Sequence, residues 1–378
     1  MKYIFLFTLF SISLAAINKK ALEIHIFNVG QADSQLIVFP SGYSILIDCG
    51  DRKSDATHTK HVAKRIEAIL GKKKVDVFVL THFHTDHSGK RDKSGIWYLM
   101  EKKGFTFGKF IHRNIGTYTG SKLSNCNKDT ISWKYVGTMD SSMAKFVCYA
   151  TSSKEKTKLS KIAVVAKKCS TTQIDPPDTG ASVTIVMTDA LGVKSSETGK
   201  AVARNSINAS TKVQENDFSI CMRIVYGKFV YATCGDLSGI NYKKTGSKFH
   251  DIETSTAPML GEVDLYNVNH HGSDTSTNTK WTNTLKPTVA VVSCGDDLSL
   301  PNSASMKHLK NIGAKIYTTG NDCHKSTINK VGGITEMGDD VVVTVPTNGK
   351  TFTVASPSGK HKKTFNIKTN KKAATKCK

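Results

Sequence analysis

The sequence predicts a layered α/β domain. Three observations predict it: short apolar runs rich in β-branched residues, helical periodicities between them, and turn signals at the junctions. With 378 residues, the chain can bury one large core or two small ones.

The elements follow in order. Leu22-Glu23-Ile24-His25-Ile26-Phe27 alternates apolar and polar residues, as a half-buried strand does. Residues 35–39 and 43–47 are two more strands, joined by the turn signal Pro40-Ser41-Gly42. Residues 61–70 repeat apolar side chains at helical spacing and stop at Gly71, a good C-cap. Val75-Asp76-Val77-Phe78-Val79-Leu80 is a buried strand, residues 96–100 a helix, and residues 109–112 a strand.

From about 114 to 178 the pattern weakens, and we expect an irregular insertion held by a disulfide. Its lysines (Lys154, Lys156, Lys158, Lys161, Lys167, Lys168) are either a substrate-facing rim or a solvated surface. Order resumes with a strand at 181–187, a polar stretch at 195–214 and a hairpin of 218–225 with 229–232. Strands follow at 263–268, 289–292 and 315–317, with a helix at 303–311. The last hairpin, 341–345 with 351–354, turns at Asn348-Gly349. Residues 357–378 hold eight lysines from Ser358 onward and no acid, and are expected to be a disordered tail. The sequence shows no internal repeat.

One stretch organises the chemistry: Thr81-His82-Phe83-His84-Thr85-Asp86-His87-Ser88-Gly89, directly after a strand. In an extended segment residues two apart point the same way, so His82 and His84 can close on one metal ion. Asp86 and His87 lie past the strand, where a turn can aim them at a second. Imidazole with carboxylate suits zinc, manganese or iron.

That stretch resembles the signature of the metallo-β-lactamase superfamily. Four further segments resemble one branch of it, the hydrolase domain of ComEC-type DNA-uptake proteins. They are Phe27-Asn28-Val29-Gly30-Gln31-Ala32-Asp33-Ser34, Ile47-Asp48-Cys49-Gly50, Cys234-Gly235-Asp236-Leu237 and Asn269-His270-His271-Gly272-Ser273. They stand in that branch's order and span roughly residues 22 to 320. The resemblance implies a metallo-β-lactamase-like αββα four-layer sandwich. It implies metal ligands at His82, His84, Asp86, His87, Asp236 and His270, with His271 the alternative to His270. Asp236 would bridge two ions, and Asp48 would orient ligands from behind. Asp86 and Asp236 are the expected catalytic acids. The residues themselves leave Ser273 and Ser276 either as contacts for phosphate oxygens or as simple turn formers.

The resemblance implies two divalent ions, zinc or manganese, that lower the pKa of a water toward neutrality and neutralise developing charge. The sequence departs from the pattern in one respect. Many members supply a further histidine to the first position, between the His motif and the bridging aspartate. Here that interval offers only His112, and residues 295–301 carry none. With His324 the distant substitute, a single-ion enzyme stays open.

Composition frames the setting. Met1-Lys2 followed by an apolar run and Ala15-Ala16 has the grammar of a secretory signal peptide over residues 1–16. The run is short of the ~20 apolar residues that span a bilayer, and no later run approaches that length. We therefore expect a secreted protein with a hydrolase domain at 17–356 and no integral membrane segment in the mature chain.

Nine cysteines then imply disulfides, with at least one thiol left over. Cys126, Cys148, Cys169, Cys323 and Cys377 lie in polar segments and are the better candidates. Cys49, Cys221, Cys234 and Cys294 read as small buried residues. Asn208-Ala209-Ser210 is a glycosylation acceptor pattern.

The net charge of +22 favours polyanionic partners such as nucleic acid. The leading expectation is a metal-dependent phosphodiesterase or nuclease. The alternatives are a hydrolase of a small lactone, thioester or β-lactam, and a non-catalytic nucleic-acid-binding protein.

Overall fold

Two mixed sheets pack face to face with helices on both outer sides, an αββα sandwich of the metallo-β-lactamase class. The computed structural model describes residues 17–118, 133–135, 141–151, 158–195, 198–202, 213–244, 247–295 and 297–377. The signal-peptide segment 1–16, the acceptor Asn208, Cys126, Lys154 and Lys156 lie outside them.

The first sheet has nine strands. From one edge they run Lys362–Asn366, Thr351–Ala355, Val341–Pro346, Ala21–Ile26, Gln35–Val38, Ser44–Ile47, Lys74–Leu80, Thr106–His112 and Ala163–Val165. The second has seven: Ile334–Glu336, Lys315–Thr318, Val289–Val292, Leu265–Asn267, Phe229–Thr233, Cys221–Tyr226 and Ala181–Met187.

Alternation of side chains builds the layers. Val77 and Val79 enter the core between the sheets, while Phe78 and Leu80 face the outer helices Thr57–Leu70, Gly95–Glu101 and Ser141–Thr151. In the second sheet Phe229, Tyr231, Val289 and Val291 enter the shared core. Val230, Ala232, Ala290 and Val292 face the helices Glu253–Leu260, Thr279–Leu285, Ser303–Asn311 and Lys325–Val331. Runs buried on both faces are why these strands read as continuous apolar stretches.

Several expectations need correcting. The insertion at 114–178 is partly regular: Met143, Phe146 and Val147 of the helix Ser141–Thr151 are core residues, and Ala163–Val165 extends the first sheet. The tail is ordered too. Lys362–Asn366 pairs with Thr351–Ala355, and Cys377 is bonded to Cys169. Nor are Cys221, Cys234 and Cys294 merely small buried residues. Neighbouring strands bring Cys221 and Cys234 to a Cα separation of 3.7 Å, and Cys294 pairs with Cys323. Cys148 is also disulfide-bonded, whereas Cys49 is a free, buried thiol. Among the described residues no helix is long and apolar enough to cross a membrane.

Candidate metal centre

The site lies beyond the carboxyl ends of four strands, two from each sheet. Asp48 follows Ser44–Ile47, and the motif His82 to His87 follows Lys74–Leu80. Asp236 follows Phe229–Thr233, and the histidine pair follows Leu265–Asn267. Both pairs of strands are linked by parallel pairing, so their ends open on one rim. Close backbone approach is part of the construction. At Gly50 a Cβ would sit 1.7 Å from the Asp86 carbonyl oxygen, so no side chain fits there.

Two ligand sets converge. One is His82, His84 and Asp236; the other is Asp86, His87, Asp236 and His271. Within each set the ligand atoms lie within 4.8 Å of one another. Asp236 belongs to both and divides its oxygens. Oδ1 is 2.9 Å from His87 Nε2 and 3.8 Å from His271 Nε2, while Oδ2 is 3.7 Å from His82 Nε2. That is the disposition of a bridging carboxylate.

The histidine pair differs from expectation. The sequence reading gives His270 to the second position, with His271 as the alternative. In the structure His271 joins Asp86, His87 and Asp236, and its Nε2 is 3.6 Å from Asp86 Oδ2. His270 turns toward the other oxygen of Asp236, 3.7 Å from Oδ2, and its Nε2 faces Asn216 Nδ2 at 3.1 Å. Both histidines have left-handed backbone, φ 51° each, and the short turn brings both rings to the Asp236 carboxylate, one at each oxygen.

The tautomers are set from behind. Asp48 accepts hydrogen bonds from the Thr81 backbone N–H (2.8 Å), the Thr81 hydroxyl (2.7 Å) and His87 Nδ1 (2.7 Å). His87 Nε2 is therefore left facing the site. His271 Nδ1 donates to the Ser293 carbonyl at 2.8 Å, which leaves its Nε2 free in the same way. Thr81 Oγ1, having given its proton to Asp48, accepts from His82 Nδ1 at 3.2 Å. Partners of this kind fix ring orientation and raise ligand basicity.

Asp33 ties the two sheets behind the centre, accepting from Gln35, Asn267 and Ser293. Burial pushes its carboxyl up to about 6, against the pull of His87.

Charge in the site is finely opposed. Burial disfavours ionisation of Asp86 and Asp236, but His271 and His87 at the first, and His87 and His270 at the second, hold both below the usual range. Burial, reinforced by His87, keeps His82 neutral. At His87 burial is outweighed by Asp236 and Asp48, so its proton is held strongly and a cation must displace it.

The residues fit a divalent cation. His87 Nε2, Asp236 Oδ1 and His271 Nε2 are all buried without an aligned hydrogen-bond partner, although the first two are only 2.9 Å apart. Buried polar atoms are rarely left so. Three such atoms facing one point are what a metal ligand set looks like without its ion.

Other expected residues stand elsewhere. His112 is buried against Phe146 with Nδ1 on the Arg113 carbonyl, and His324 bonds Ser326 and Thr327; neither is in a ligand set. Ser273 and Ser276 serve the turn itself, through Thr275 and the Asn269 carbonyl.

Sequence reasoning missed four neighbours. Arg52 Nη1 is 3.8 Å from Asp86 Oδ2. Asn216 meets His270. Glu215 accepts from the Phe83 backbone N–H at 3.0 Å. Glu253 anchors the histidine turn. Glu215-Asn216-Asp217 did carry a signal, a polar triplet directly before an apolar strand, but it is indistinguishable from a loop end.

Residues 27–90 match the family model of the metallo-β-lactamase superfamily. That stretch holds the His motif, Asp33 and Asp48. The match is confined to that segment, which is similar to the superfamily and lies within an αββα fold. Among curated proteins, none matches. Of the solved structures it resembles, one is a Parabacteroides distasonis protein provisionally described as a metal-dependent hydrolase. The two are 15% identical, with a TM-score of 0.39, over 79% of this chain and 93% of the other.

Proposed function

We propose that the protein is a secreted metal-dependent hydrolase that cleaves phosphodiesters in nucleic acid. The observation that carries the hydrolase part is the division of Asp236 between two convergent ligand sets. Divalent ions, zinc or manganese, bound there supply an activated water and neutralise charge on the group being cleaved.

The chain's own residues do the rest. Asp48 and the Ser293 carbonyl fix the tautomers of His87 and His271. Asp86, held ionised, presents one oxygen toward both His271 and Arg52. Arg52, one-third exposed, stands where a phosphate oxygen would arrive, and a guanidinium binds phosphate well.

The nuclease part is supported by the net charge of +22 and by resemblance to the competence-protein branch. Secretion is supported by the disulfides Cys169–Cys377, Cys221–Cys234 and Cys294–Cys323, which belong to oxidising compartments. One observation favours the small-molecule reading: Phe249 lies 6.3 Å from His270 and gives the site an aromatic wall.

The test is cleavage by purified mature protein, loaded with Mn²⁺ or Zn²⁺ or treated with chelator. Substrates are single- and double-stranded DNA, RNA, and a panel of lactone, thioester and β-lactam compounds. We expect metal-dependent phosphodiester cleavage. Asp86→Ala and His271→Ala should lose it by about 10- to 100-fold or more, since losing only a ligand's supporting partner already costs that much, with circular dichroism unchanged. Turnover of only the small-molecule panel would replace the nuclease reading. Wild-type rates in both variants would refute the site.

A further inference from the structure

We propose that the hairpin Gly239–Lys244 with Ser247–Asp251 is a stacking platform beside the metal centre. Its ligand is an unpaired base of a single-stranded polynucleotide. The inference rests on the nuclease reading and gives it a substrate class.

Three observations carry it. First, Tyr242 is 45% exposed and Ile240 42%, two of the four most exposed large apolar side chains among the described residues. Singly exposed apolar residues are ordinary, but this tyrosine is the outer end of a ladder. Its ring lies over Phe249, centroids 6.4 Å apart and planes 23° from parallel. Phe249 is buried and lies 6.3 Å from the His270 ring, and His270 reaches Asp236. The open face of Tyr242 is thus two ring-steps from a histidine that touches the bridging carboxylate.

Second, the hairpin is fixed to the site. His250 bonds Asp217 through Nδ1 at 2.9 Å and through its backbone N–H at 3.1 Å. Val213 bridges Lys248, and the Gln214 N–H donates to the Lys248 carbonyl. The same short segment carries Asn216, which contacts His270. A platform tied to the ligand cluster in this way holds a base in register with its own phosphodiester.

Third, the charge fits. The whole chain carries +22, so an anionic strand is drawn to it. An exposed aromatic ring on a cationic protein is a combination that binds single strands: the ring stacks a base while positive charge attracts the backbone. In a duplex the faces of each base are already covered by its neighbours, so the platform selects unpaired strands.

The experiment measures binding by fluorescence anisotropy on the full mature chain with chelator present. The probes are a labelled single-stranded oligonucleotide, its abasic analogue of equal length and charge, and the corresponding duplex. Wild type should bind the base-bearing strand roughly tenfold more tightly than the abasic one, the scale of one base–aromatic stack. Tyr242→Ala should erase that difference and leave abasic and duplex affinities unchanged. Tyr242→Phe should retain it, because stacking needs the ring and not the hydroxyl. Equal wild-type affinity for base-bearing and abasic strands, or unchanged base preference in Tyr242→Ala, overturns the platform.

A cleavage assay with added Mn²⁺ or Zn²⁺ separates the two readings. Base-dependent binding without phosphodiester cleavage leaves the platform standing and removes the nuclease assignment. Cleavage without base preference does the reverse.

Discussion

At the scale of single residues, the histidine pair shows how the chain spends conformational energy on chemistry. Left-handed backbone in a non-glycine residue costs on the order of 1–3 kcal/mol, and His270 and His271 both adopt it. Glu253 is what over-determines the turn. Its Oε1 accepts from Asn269 Nδ2 (2.8 Å) and the Thr277 N–H (2.6 Å), and Oε2 accepts from the Asn278 N–H (2.8 Å). Burial pushes this carboxyl up to about 8 from 4.5, against the three donors.

The raised value has a definite sign for stability. Between pH 4.5 and about 8 the native state holds a proton that the unfolded chain releases. Glu253 therefore stabilises fully below 4.5, and its contribution is lost as pH rises through 8. Urea unfolding at pH 5 and pH 8 should show wild type losing stability relative to Glu253→Gln, by at most about 1.4 kcal/mol per pH unit. Parallel curves would mean that Glu253 ionises normally in the fold. His82 to His87 were legible because they sit in one run of sequence. Glu253 was not, because an acid at the start of a helix looks like ordinary dipole chemistry.

At the scale of elements, a single 3-10 turn, Glu215–Phe218, joins the motif loop to the second sheet. Arg113 is completely buried and pairs with Glu215 through Nε and Nη2, with Phe83 and Phe218 beside its guanidinium. Glu215 also holds the Phe83 N–H inside the His motif. Glu215→Ala leaves a buried cation without its carboxylate, which should cost about 3–5 kcal/mol. The double variant Arg113→Met with Glu215→Leu should recover part of this. It should not recover all of it, because the orphaned Phe83 N–H still costs about 1–3 kcal/mol. Denaturant midpoints of the two variants measure both steps, and a single variant as stable as wild type would show the pair to be dispensable.

A contact between residues 113 and 215 leaves no trace in local sequence. Elements with their own punctuation were legible. The helix Thr57–Leu70 ends at Gly71 in the left-handed conformation, and Ser303–Asn311 begins at Asn302, whose side chain accepts from the Ala304 N–H. The hairpin Gly239–Lys244 with Ser247–Asp251 was not, since its mixed polar residues show no clean alternation.

At the scale of the whole molecule, the last twenty residues are a strap. Their lysine content reads as a disordered tail, and the reading fails because tertiary partners override composition. Lys362–Asn366 closes the edge of the first sheet, and the Ile367 N–H donates to the Lys350 carbonyl. The chain then crosses to the second half. The Lys368 N–H meets Asp264 Oδ1, Lys371 Nζ meets Asp264 Oδ2 at 2.8 Å, and the Thr375 N–H meets the Pro258 carbonyl. Cys377 finally bonds Cys169, closing a sequence separation of 208 residues.

Chain-entropy reasoning gives a loop of this length a limit of about 5 kcal/mol, with 2–4 kcal/mol the common range. Cys377→Ser should therefore lower the unfolding free energy by about 2–4 kcal/mol. It should also open the lysines beyond Asn366 to trypsin while the rest of the chain resists. Metal binding should survive, because none of the strap residues belongs to a ligand set. Loss of metal together with the tail would show instead that the strap holds the two sheets, and so the two halves of the site, in register.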